Sequence, residues 1–206
     1  MSERLSTGVA VIDRHMHGGI PRGSLLAVSA PPESQSELLL AAASSVADTH
    51  YLTAGRTADA VTASLDRPTR PSFTVEEVSP ESLATDSDAL ADVVPDGGYL
   101  VVDAFDEIEA LDDDVHRATL RQLSTRLREL ESVGILHCAQ QESRTAARRR
   151  TLQYADVVWR LHLVVTTLSV DTRLVISKVR RGRPHLEPVK LKLTDQVLVD
   201  TSRDIA

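Results

Sequence analysis

Lysine is nearly missing from this 206-residue chain: 3 lysines stand beside 20 arginines, while 18 aspartates and 12 glutamates leave a net charge of −7. An Asp-rich, Lys-poor surface suits a protein kept soluble at high salt, where screening is strong, although a GC-rich genome also favours Arg over Lys. So acidic a surface argues against nucleic-acid binding by the whole molecule and leaves only local patches for it. The single cysteine, Cys138, excludes an internal disulfide framework and a thiolate metal site of its own. It lies in the apolar run 134–139 and reads as a buried, inert thiol. No apolar run approaches the roughly 20 residues of a spanning helix. Met1-Ser2-Glu3-Arg4-Leu5 lacks the basic and apolar regions of a signal peptide, so a cytoplasmic protein without membrane contact is expected. The seven histidines form no convincing metal motif, His15-x-His17 being the nearest. Neither a Gly-x-Ser-x-Gly elbow nor a nucleophilic cysteine setting is present. No metal and no cofactor is expected.

What is present is an alternation of short β-rich runs with helical stretches, the pattern of a parallel sheet with crossover helices. Strands are predicted over 25–29, 51–53, 74–78, 99–102 and 135–138, and helices over 35–47, 58–65, 81–92 and 115–133. In the last helix Val115, Leu120, Leu123, Leu127 and Leu130 recur at helical spacing and should cover one face of the sheet. Beyond residue 156 the helical period disappears. Strand-like segments over 157–165, 167–179 and 186–193 predict an antiparallel end to the sheet, with a Gly-Pro turn at 180–184 and a surface loop at 66–72. Without repeats or a low-complexity linker, residues 1–206 read as one domain.

The first predicted strand runs into Ala30-Pro31-Pro32-Glu33-Ser34-Gln35-Ser36-Glu37 and then an apolar helix, the place where a phosphate-binding loop would sit. Such a loop needs glycines so that backbone N–H groups can close on phosphate, a lysine for the outer phosphates and a hydroxyl for the metal. In that register Ala30 and Gln35 hold the glycine positions, Ser36 the lysine position and Glu37 the hydroxyl position. Glu33 and Glu37 would face an anionic ligand. Ser34 and Glu37 are spaced as a capping box, which would let the helix cap itself where phosphate would otherwise bind.

The flanks are Leu5-Ser6-Thr7-Gly8-Val9-Ala10-Val11-Ile12-Asp13 and Gly18-Gly19-Ile20-Pro21-Arg22-Gly23-Ser24. With Ala30-Pro31-Pro32 they resemble, in order and spacing, the opening of KaiC/RadA-like ATPases of the RecA superfamily. Tyr99-Leu-Val-Val-Asp103 looks like the family's Walker B strand, and Ile176-Ser-Lys178-Val-Arg180-Arg-Gly182 like its Lys-x-Arg strand end. The resemblance covers nearly the whole chain and implies a three-layer RecA-like P-loop NTPase fold: a mostly parallel central sheet with C-terminal antiparallel strands. It also implies a metal-holding role for Asp103, and a role for Lys178 and Arg180 in reaching a neighbour's nucleotide as an arginine finger does. The family's catalytic glutamates after the second strand are not evident in Thr53-Ala54-Gly55-Arg56.

These readings point away from an enzyme, to a pseudo-ATPase that regulates or scaffolds through protein contacts. Its partner would be an active RecA/KaiC-like ATPase or a second copy of itself. Two alternatives are a noncanonical nucleotide binder or weak ATPase using Asp103, and a DNA-associated protein using Arg148, Arg149 and Arg150, with Arg144 before them and only Tyr154 and Trp159 nearby for stacking. The acidic run Asp112-Asp113-Asp114 suits a helix start better than a cation site.

Overall fold

Buried strands here are apolar on both faces. In β3 (Ser24–Ala30) Leu26, Val28 and Ala30 join one core, while Leu25 and Ala27 join two others on the opposite side, as a two-residue side-chain period requires. A strand so built must be covered by helices on both faces. The computed structural model describes residues 3–65, 71–86, 88–141, 145–165, 170–180, 182, 187–194 and 196–199. Residues 66–70 of the expected loop, Arg144, and positions 181 and 183–186 around the expected turn lie outside them.

After β3 come α2 (Glu37–Ser44), β4 (Thr49–Thr53), α3 (Ala58–Leu65) and β5 (Phe73–Glu77). Then follow α4 (Pro80–Thr85), α5 (Ala89–Asp92), β6 (Tyr99–Asp103), α6 (Asp106–Glu109), α7 (Asp113–Glu129), β7 (Val133–Ala139) and α8 (Ala146–Tyr154). The C-terminal strands are β8 (Val157–Val165), β9 (Val170–Val179), β10 (Val189–Leu193) and β11 (Val197–Val199). They form one nine-stranded sheet in the order β11-β10-β9-β8-β3-β7-β6-β4-β5. The run from β8 to β5 is parallel and the other three strands are antiparallel. Helices α2 and α3 pack on one face, α5 to α7 on the other, and α8 shares a small cluster with Ala27 and Val158. The expected α/β architecture is therefore present. The single helix expected over 81–92 is two short ones, because the Asp86 carboxylate takes the Asp88 N–H at 3.0 Å and competes with the helical bond.

The two outer strands differ. Strand β5 carries Glu76 and Glu77, and Glu76 pairs with His50 of β4 at 3.0 Å. Strand β11 has three described residues.

A short antiparallel pair, β1 (Arg4–Leu5) with β2 (Ile20–Pro21), brackets α1 (Ala10–His15). Asp13 closes this segment, accepting from the Ser6 hydroxyl at 2.6 Å and the Thr7 N–H at 2.7 Å. Gly8 stands at φ +76°, and a Cβ there would lie 2.1 Å from the Ala42 carbonyl oxygen of α2. The Ser-Thr-Gly…Asp motif thus docks the chain's beginning against α2. Gly8→Ala is expected to cost about 1–3 kcal/mol through overpacking, with more from the left-handed backbone; urea unfolding should show a lower midpoint at unchanged slope.

Candidate functional site

Residues 31–36 carry β3 into α2. Proline has no N–H to donate, and Pro31-Pro32 sets a tight turn. Ser34 closes it, its hydroxyl and N–H both donating to the Pro31 carbonyl at 2.6 and 2.9 Å. The expected Ser34–Glu37 capping box therefore does not form. The cap residue is Ser36, in helical conformation and without a side-chain cap bond. The Gln35 side-chain amide faces the carbonyls of Leu193, which ends β10, and Thr194, and with its nitrogen oriented towards them donates to each at 2.9 Å. Glu33 is exposed and Glu37 half-buried, while Ala30 is buried as the last residue of β3.

Asp103 ends β6 and is buried, and three side chains converge on it, with a fourth reaching it through His137. Its Oδ2 accepts from the Tyr51 hydroxyl at 2.5 Å and the Arg56 guanidinium at 3.0 Å. Its Oδ1 lies 2.7 Å from His137 Nδ1, and His137 Nε2 lies 2.9 Å from the Ser36 hydroxyl. An ionised carboxylate only accepts, so Nδ1 carries the proton that faces it. Burial alone would raise the Asp103 carboxyl, but His137, Tyr51 and Arg56 together outweigh burial and draw it down to about 2. Burial, reinforced by the Asp103 charge, pushes the Tyr51 phenol far above its ordinary range and keeps it a donor. Ser36, His137 and Asp103 have the connectivity of a nucleophile–base–acid relay. Ser36, however, is only 2 % exposed, which closes it to a substrate.

This arrangement can be tested against the magnesium nucleotide that a P-loop fold implies. The cavity beside Asp103, lined by Glu37, Thr53, Gly55, Arg56 and Ala104, measures about 180 Å³, against 300–1,000 Å³ or so for ordinary ligand pockets. Magnesium wants carboxylate oxygens and water, whereas here a guanidinium and an imidazole hold the carboxylate. Among the described residues no group of three His, Cys, Asp or Glu could hold a metal ion. The residues present do not fit that ligand.

Tyr51, Arg56 and His137 were not singled out from the sequence. Arg56 stood where catalytic glutamates were sought, and that reversal of charge was the available signal. His137 required the register of β6 beside β7, which puts it near Asp103.

The other expected sites are engaged within the chain. Arg148 is 3 % exposed. Its Nε donates to both Glu109 oxygens at 2.8 and 2.9 Å, one terminal nitrogen to Asp106 at 2.7 Å and the other to the Ala139 carbonyl at 2.8 Å. It cannot meet nucleic-acid phosphates, which corrects that part of the basic-run expectation. Arg149 is exposed. Arg150 donates to Asp113 at 2.5 Å and to His116 Nδ1 at 3.0 Å. Burial, together with Arg150, lowers His116 to about 4, so the ring is neutral at pH 7. Its Nε2 then donates to Thr151 at 3.1 Å, and Thr151 to Glu109 at 2.5 Å. This continuous network ties α6, α7 and α8 together. Lys178 reaches the carbonyls of Leu152 and Gln153 at 2.8 and 3.1 Å, and Arg180 reaches that of Gln153 at 2.7 Å. Both cations thus satisfy the C-terminal carbonyls of α8.

A central β3 whose following loop leads into a buried helix, a parallel sheet continued by antiparallel strands, and an aspartate ending the β6 strand define a domain of the KaiC-like RecA fold. The structure matches a KaiC-like protein from the hyperthermophilic archaeon Pyrococcus horikoshii OT3 with a TM-score of 0.75, covering 97 % of this chain and 100 % of that one at 16 % identity. The chain belongs to a Family of unknown function (DUF7125), whose model matches residues 4–206. No curated protein matches it. Among the described residues no helix is long and apolar enough to cross a membrane.

Proposed function

We propose that this chain is a degenerate, non-catalytic KaiC-like domain, a pseudo-ATPase that regulates or scaffolds through contacts with another protein, in the cytoplasm of a salt-adapted archaeon. The observation supporting this reading is the Ser36–His137–Asp103–Arg56 network with Tyr51: the residue in the lysine register of the loop and the aspartate ending β6 are both bonded to side chains of the protein itself. The composition supports the salt-adapted source. Lys178 and Arg180, each engaged by carbonyls of their own chain, would have to leave α8 to complete a partner's site. In thermal unfolding with and without millimolar ATP and magnesium, a ligand that binds only the native state must raise the midpoint. No shift is expected. A clear rise that disappears in Asp103→Ala would overturn the proposal and make the chain a nucleotide binder.

A further inference from the structure

Several arginines among the described residues hold an acidic acceptor, as Arg56, Arg148, Arg150 and Arg180 do. Arg121 and Arg128 are exposed and, among the described residues, their guanidinium groups make no hydrogen bond or ion pair. They stand seven residues apart on α7, two turns or about 10 Å along the axis. Both line one groove of about 480 Å³ between α7 and the C-terminus of α8, with Gln153, Tyr154, Asp156 and Arg180. That volume falls within the range of small-molecule sites. Arg180 is anchored in the groove by Asp156 at 2.9 Å, so these two charges offset each other. Two guanidinium forks without an ion-pair partner remain in the groove, with the half-buried Tyr154 ring beside them.

A free guanidinium fork matches the planar geometry of a carboxylate or two oxygens of a phosphate. We propose that this groove binds an elongated small molecule with an oxyanion at each end, phosphate or carboxylate, one on Arg121 and one on Arg128. The site is separate from the Asp103 network. Asp156 precedes β8 and accepts from the Leu25 N–H near the start of β3 at 3.2 Å, whereas Asp103 ends β6; these strands run parallel, so the two sites occupy opposite ends of the sheet.

Titration calorimetry at low salt with tripolyphosphate, with citrate and with a short DNA duplex tests this directly. At least one small anion should bind at one per chain, about tenfold or more weaker in Arg121→Gln/Arg128→Gln and unchanged in Asp103→Asn. Binding of tripolyphosphate alone assigns phosphate as the ligand group, of citrate alone carboxylate. No small-anion binding, equal affinity in the double variant, or binding of DNA alone would each overturn the proposal. Both substitutions are at exposed positions and glutamine is a good helix former, so the unfolding midpoint of the unliganded variant should match the wild type.

Discussion

Arg148→Ala should be the most destabilising single change near the helical network, costing about 3–5 kcal/mol, because it leaves the Glu109 carboxylate buried without its cation. In a chain of this length that lowers the thermal midpoint on the order of 10 °C. Glu109 and Asp106 lose the donors at 2.7 to 2.9 Å, and the Ala139 carbonyl loses its partner as well. Thr151 and His116 then face an uncompensated charge. Arg148→Met with Glu109→Gln should recover much of the loss, since removing both charges spares the penalty of stranding one. Had Arg148 been a phosphate contact on an exposed helix, its removal would shift stability by less than about 0.5 kcal/mol; chemical denaturation of the two variants separates these outcomes.

Asp103→Asn carries the second large effect, and its sign distinguishes the two readings of the site. In the folded chain the carboxyl stands at about 2, below its ordinary value of 3.8. A folded value below the unfolded one means stability that is present above about pH 4 and lost as pH falls towards 2. By linkage this amounts to about 2 kcal/mol. The asparagine variant should therefore be less stable than wild type at pH 7, and the gap should narrow as the pH of urea unfolding is lowered from 5 to 2. A carboxylate held unpaired for a metal would behave oppositely, gaining stability when neutralised. A more stable asparagine variant at pH 7 would thus contradict the internally satisfied site.

The parallel core was legible because each strand is a short apolar run between helical periods. Helix α3 and strand β8 have the bounds that the pattern predicted. What escaped was pairing across distance. A Ser-x-x-Glu spacing is local, yet Ser34 is captured by the carbonyl of Pro31, three residues back. The run Arg148-Arg149-Arg150 looks uniform in sequence, but a helix distributes successive residues around its axis. Arg148 therefore enters the protein while Arg149 stays outside. Asp103 was found from its place on a strand. Its partners lie on other strands and loops, 34 to 52 residues away along the chain, and no short motif encodes such a set.

The outer strand β5 bears on how this protein can meet another. Strand β5 presents Glu76 and Glu77 along its edge. A bordering strand that carries charged side chains is a poor template for β-augmentation. At the β5 edge, a partner of any kind would thereby be directed away from extending the sheet and towards side-chain recognition on the helical layers, where an interface can be undone without breaking a ladder of backbone hydrogen bonds.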